Sequence, residues 1–162
     1  MRIEAVKDRA FEVIEKVLKF SRDAGADECA AVIGGGCSGL TRFARNRIIQ
    51  NVEQDRRTLT LAVAVGGHEA GLSSDVLDDA SLQTMARDAV TMARLYPENP
   101  EHTSPVEPRE IRSSCAFDEH TAQFTQMEKA DQIQEICNRT SSQNLLSFGT
   151  LTTGWNYTAM GN

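Results

Sequence analysis

Two short patterns in this sequence carry the residue types of known chemistry. Gly34-Gly35-Gly36-Cys37-Ser38-Gly39 spells G-x-G-x-x-G, in which glycines let the backbone approach a pyrophosphate at the start of a helix. His68-Glu69 opens like H-E-x-x-H, where two histidines one helical turn apart hold a metal and the glutamate activates water. Both lack the context their chemistry requires. No parallel crossover is predicted after the glycines, and Leu40 stands where a P-loop has its lysine. Position 72 is leucine, and the segment around His68 reads as a strand. The economical readings are a glycine turn between strands and three surface histidines, His68, His102 and His120. A nucleotide-binding α/β domain built on Gly34 to Gly39 is a trailing alternative.

No nucleophile with a partner emerges from Ser73, Ser74, Ser113 or Ser114. Cys29, Cys37, Cys115 and Cys137 form no C-x-x-C pair and read as small core or strand residues. Asp78, Asp79, Asp118 and Glu119 stand where helices begin, so capping accounts for them. The sequence therefore assigns no catalytic residue and no metal ligand. Its candidate interaction surface is Arg42, Phe43, Arg45, Arg47, Arg56 and Arg57, a basic stretch in an acidic chain, suited to an acidic partner.

The elements that position these residues follow from periodicity. Ile3, Val6, Ala10, Val13, Ile14, Val17 and Leu18 predict an amphipathic helix stopped by Gly25. Strands are predicted over Ala26 to Ile33, two within Leu40 to Val52, one over Thr58 to Val65 and one over His68 to Ser73. Leu82 to Tyr96 predicts a second helix ended by Pro97, and all four prolines fall between positions 97 and 108. A third helix around Thr125 to Thr140, with Met127, Ala130, Ile133 and Cys137 inward, precedes an extended run from Leu145 to Thr153. The fold class is α+β: an antiparallel sheet of about five strands, two long helices packed on the face bearing Thr60, Ala62 and Ala64, then a third helix and a terminal strand. The organisation expected is an N-terminal domain over 1–97, a proline-rich connection over 98–116, and 117–162 leading toward a missing C-terminal domain.

With 162 residues, 40% hydrophobic and 25% charged, the composition is that of a globular protein. Seventeen Lys and Arg against 23 Asp and Glu give a net charge of -6, which argues against direct nucleic-acid binding. No apolar run approaches membrane-spanning length. Reduced thiols in the cytoplasm are expected.

Thr41-Arg42-Phe43-Ala44-Arg45-Asn46-Arg47-Ile48-Ile49-Gln50-Asn51-Val52, the strand from Leu59 to Val65, Gly71-Leu72-Ser73-Ser74 and the helix from Leu82 to its exit at Pro100 follow in an order that resembles the N-terminal domain of the TldD/PmbA family. Phe148-Gly149-Thr150-Leu151 and Ala159-Met160-Gly161-Asn162 resemble that family's approach to its second half. Members are described as modulators of DNA gyrase and regarded as metal-dependent peptidases. The resemblance implies the N-terminal piece of a peptidase subunit acting on unfolded peptides, with docking or substrate admission as its role. It implies no cofactor in this chain, zinc in the missing domain or in a partner, and a homo- or heterodimer with a second subunit of the type. A non-enzymatic module docking an acidic partner through the arginine-bearing hairpin is the rival reading.

Overall fold

The computed structural model describes residues 3–107 and 116–162, so Pro108, Ser113, Ser114 and Cys115 lie outside the described residues. Along the chain run α1 (Ile3–Asp23), β1 (Glu28–Ala44), β2 (Arg47–Val65), β3 (His68–Ser74), α2 (Asp79–Leu95), α3 (Glu119–Gln123), α4 (Gln126–Ser142) and β4 (Phe148–Gly161). The strands form one antiparallel sheet in the order β3-β2-β1-β4. The expected sheet of about five strands thus has four. The segments predicted before and after the glycine run are both parts of β1, those on either side of Gln54 are both parts of β2, and the terminal strand joins the same sheet.

The glycine run is not a turn. Positions 34–36 continue β1, and at 35 and 36 the approach of β4 leaves no room for a side chain. A Cβ on Gly35 would lie 2.7 Å from the Tyr157 ring, and one on Gly36 would collide with the Trp155 carbonyl. Buried residues at Cys29, Ala31, Ile33, Gly39, Thr41 and Phe43 keep one alternation through the whole strand.

Contacts divide the chain into two compact units, Met1–Gly35 with Arg57–Ile111 and Tyr157–Asn162, and Gly36–Arg56 with Arg112–Asn156. In the first, Val13, Ile14 and Val17 of α1 join Leu82, Ala86 and Ala89 of α2 in one core with Leu59, Leu61 and Val63 of β2. The helices therefore cover the bulky face of β2, and the expectation that they pack on Thr60, Ala62 and Ala64 is corrected. Burying a leucine or valine side chain contributes about 1.5–3 kcal/mol, so the larger side chains decide which face is covered. Asp78 caps α2 by accepting from the Ser81 amide at 3.0 Å, and Gly25 leaves α1 at φ +97°.

In the second unit Phe43, Ile133 and Cys137 form a small core with Leu151. The capping box of Thr125 and Glu128 starts α4. Of the expected inward residues, Met127 is instead 71% exposed, while Lys129 is 2% exposed. The geometry of the helix explains the exchange: at about 100° per residue, Met127 lies about 120° round from Ile133, and Lys129 only about 40°.

The β1–β2 turn sits at Arg45 and Asn46, both with positive φ, 51° and 59°, as a two-residue hairpin of right-handed strands requires. Asn46 does more than turn the chain. Its Oδ1 accepts from Ser147 N and Oγ, both at 2.7 Å, and from Thr140 Oγ1 at 3.0 Å. Its Nδ2 donates to Ser141 Oγ at 2.8 Å and the Leu145 carbonyl at 2.9 Å. One side chain thus fastens the hairpin to the end of α4 and the start of β4.

With a net of about 0.5–1.5 kcal/mol per hydrogen bond, Asn46→Ala should lower unfolding stability by about 2–3 kcal/mol in urea titrations. Asn46→Asp, which keeps the acceptor oxygen and loses the donor, should lower it by about half as much. A loss below about 0.5 kcal/mol for the alanine variant, the level of an ordinary surface change, would show that the network contributes nothing.

Candidate functional site

The small side chains of β2 serve the face away from the helices. Ala62 lies opposite Gly71, and Ala64 opposite Glu69, in the β2–β3 register. With Ala30 of β1 they floor a cavity of about 540 Å³ in the first unit, rimmed by Glu28, Glu69, Tyr96 and His102.

His102, on the segment after α2, spans that floor. Its Nδ1 donates to Glu69 Oε1 of β3 at 2.5 Å, and its Nε2 lies 3.2 Å from Glu28 Oε2 of β1. In the sheet order β2 separates those two strands, about 10 Å apart at a spacing of 4.7–4.9 Å per strand. An imidazole bridging two carboxylates over that gap requires small residues beneath it, and Ala62 and Ala64 supply them. Neighbouring groups hold the arrangement. Asn99 Nδ2 donates to Glu69 Oε2 at 2.6 Å, Ser104 Oγ to Glu28 Oε1 at 2.6 Å, and the Asn99 amide to the Gly67 carbonyl at 2.9 Å. Glu28 Oε2 is buried and accepts no hydrogen bond, so His102, when protonated, is the charge that compensates it.

The electrostatics follow from this geometry. The hydrogen bond to Glu69 raises the His102 pKa above its ordinary 6.5, partial burial opposes the rise, and the charges of Glu69 and Glu28 add to it. The hydrogen bonds from His102 and then Asn99 hold Glu69 below its ordinary 4.5. A protonated imidazole with a carboxylate at each nitrogen binds; it has no free lone pair with which to act as a base. Among the described residues no group of three or more His, Cys, Asp or Glu is arranged to hold a metal ion.

Each residue singled out in the sequence can now be placed. His102 is partly buried between the two glutamates, not a surface histidine. His68 Nδ1 is 2.7 Å from the Tyr96 carbonyl, and His120 is exposed beside Phe124. Arg42, Arg45, Arg47, Arg56 and Arg57 are all exposed. Phe43 is 8% exposed and belongs to the core with Ile133 and Cys137, so it leaves the candidate surface. Arg42, Arg45 and Arg47 gather at the hairpin turn, whereas Arg56 lies nine residues farther along β2, about 30 Å at 3.3 Å per residue. The basic stretch is therefore not one patch. Glu28, Glu69 and Asn99 escape sequence reasoning because their meeting depends on the path of the chain after α2; the one local signal was His68-Glu69, read for the wrong partner.

The pH dependence has a definite sign. The His102 contribution is complete below the ordinary histidine value of 6.5 and is lost as pH rises through the raised pKa. The Glu69 contribution is complete above 4.5 and is lost as pH falls through the lowered pKa. The segment 99–104 should be held most firmly between these limits. Above them the Asn99 amide should exchange hydrogen faster than its intrinsic pH dependence allows, and His102→Gln should abolish that excess. An unchanged profile in His102→Gln would exclude the tie.

No family profile matches this sequence, and no curated protein matches it. Solved structures do match. TldE from Thermococcus kodakarensis superposes with a TM-score of 0.75 at 10% identity, over 91% of this chain and 34% of its own. A candidate modulator of DNA gyrase from Bacteroides thetaiotaomicron gives 0.71 at 9% identity, over 94% and 40%. Another from Thermotoga maritima gives 0.69 at 11% identity, over 92% and 34%. This chain thus spans between a third and two fifths of the length of these structures. At such identities the likeness is one of fold, and it leads to the same group of proteins as the sequence resemblance: over nine tenths of its length, this chain has the fold of part of TldE and of the gyrase-modulator structures.

Proposed function

We propose that this chain is the docking and substrate-admitting part of a TldD/PmbA-type metallopeptidase subunit that acts on unfolded peptides in the cytoplasm, paired with a second subunit, with the zinc held outside this chain. The observation that carries the reading is the fold match to TldE and the gyrase modulators over more than nine tenths of the chain. The sheet supports it. Its outer strands are β3 and β4, and β4 runs 14 residues with alternate side chains exposed and none fully buried. An outer strand of that length offers unpaired backbone groups to an extended peptide, which adds as another strand irrespective of its sequence. The compartment suits the free thiols of Cys29, Cys37 and Cys137. Among the described residues no helix is long and apolar enough to cross a membrane.

One observation favours the second reading, a non-enzymatic module for an acidic partner: Arg42, Arg45 and Arg47 are exposed together at the hairpin turn. Reversing the charge there, with Arg45→Glu and Arg47→Glu, should abolish salt-sensitive capture of an acidic peptide if that reading holds. Under the peptidase reading it leaves capture of a neutral unfolded peptide unchanged.

The decisive experiment incubates an unstructured peptide with this chain, with a metal-bearing subunit of the type, and with both, read by mass spectrometry. The chain alone should leave the peptide intact with or without zinc, and the pair should cleave it about tenfold faster than the metal-bearing subunit alone, a difference of about 1.4 kcal/mol in the barrier. Zinc-dependent cleavage by this chain alone, or no gain from its addition, would overturn the proposal.

A further inference from the structure

The second unit contains its own cavity, of about 430 Å³, whose walls include Cys37, Glu53, Phe124, Gln126, Lys129 and Trp155. Lys129 is 2% exposed, and among the described residues no hydrogen bond or ion pair reaches its ammonium. Gly39 makes space for it, since a Cβ there would collide with the Lys129 ammonium and the Gln126 amide. Cys37 does not supply the counter-charge. Burial foremost, then the carboxylates of Glu53 and Asp55, push its thiol upward, so that it stays protonated near neutral pH. Glu53, itself exposed, faces the same cavity, and among the described residues its oxygens accept from neutral groups, Gln126 Nε2 at 3.3 Å and Cys37 Sγ at 3.7 Å.

An ammonium and a carboxylate thus line one cavity without pairing with each other. A buried charge left uncompensated costs several kcal/mol, and proteins retain such charges where a ligand completes them. The complement of this arrangement carries both charges on one small body, the anion toward Lys129 and the cation toward Glu53. Phe124 and Trp155 provide aromatic walls for an apolar portion. The volume is at the small end of ligand cavities, about 300–1,000 Å³, which suits a single amino acid better than an extended chain. We infer that this cavity binds a free amino acid with an apolar side chain, its carboxylate on Lys129 and its ammonium on Glu53.

Trp155 is the sequence's single tryptophan, so its emission reports on the cavity without a label. Titrating the 162-residue chain with leucine should change that emission saturably. 4-Methylpentanoate, which lacks the ammonium, and isopentylamine, which lacks the carboxylate, should each bind about tenfold more weakly, or about 1.4 kcal/mol per lost charge contact. Lys129→Met should remove the response to leucine and to 4-methylpentanoate. Glu53→Gln should weaken leucine about tenfold and leave 4-methylpentanoate unchanged. Without ligand, Lys129→Met should melt no lower than the parent, because it replaces an uncompensated charge by an apolar chain of similar length. The inference is overturned by the absence of a saturable response to leucine, by equal binding of leucine and its two half-charged analogues, or by a Lys129→Met chain that melts lower and still responds.

Discussion

The missing side chains at Gly35 and Gly36 are the constraint on which this sheet depends. Tyr157 and the Trp155 backbone of β4 occupy the space those side chains would need, so the terminal strand can lie against β1 only where β1 is bare. Gly154 repeats the condition from the other side: a Cβ there would lie 2.7 Å from the Cys37 carbonyl. Glycine in a strand usually weakens it through backbone entropy, about 0.5–1 kcal/mol relative to alanine. Here the close backbone approach outweighs that cost, because it secures the fourth strand of the sheet. The same bareness misleads a reader of the sequence, since local rules assign consecutive glycines to a turn.

What the sequence discloses and what it conceals divide along a physical line. The helix from Ile3, the cap at Asp78, the alternation from Leu59 to Val65 and the start of a helix near Thr125 are set by neighbours a few residues away, and they stand in the structure as the sequence predicts. The identity of the covered face of β2, the inward turn of Lys129 and the bridging by His102 depend on residues 30 to 90 positions distant. Lys129 is the clearest instance. Its i, i+4 spacing with Ile133 and Cys137 is visible in the sequence, yet lysine is so seldom buried that the apolar Met127 was the natural choice for the core. Asn46 was legible as a turn residue, but its five hydrogen bonds to Thr140, Ser141, Leu145 and Ser147 were not.

The candidate site was legible only in fragments. His68-Glu69 drew attention for a metal motif that position 72 breaks, and the glutamate proves to matter for another histidine, 33 residues on. The arginines were legible as charge but not as geometry: a strand converts nine residues of sequence into about 30 Å, which separates Arg47 from Arg56 however close they look in the sequence. Phe43 shows the complementary error. It alternates with exposed Arg42 on a strand, so the same pleat that presents the arginine must bury the phenylalanine.

The two cavities follow opposite electrostatic logics, and the difference indicates what each can do. In the first, the ionisable groups are joined to one another: Glu28 and Glu69 close on His102, Ser104 and Asn99 take up further oxygens, and the alanine floor fixes the spacing. Such a cluster holds the segment after α2 across the sheet. In the second, the buried Lys129 and the exposed Glu53 line the same space without pairing. Leaving the buried ammonium without a counter-charge costs free energy in the empty state, while Glu53 remains in water and accepts from Gln126 Nε2 at 3.3 Å. A structural cluster minimises such cost and a binding site carries it, which makes the less stable arrangement, in the second unit, the one to associate with recognition.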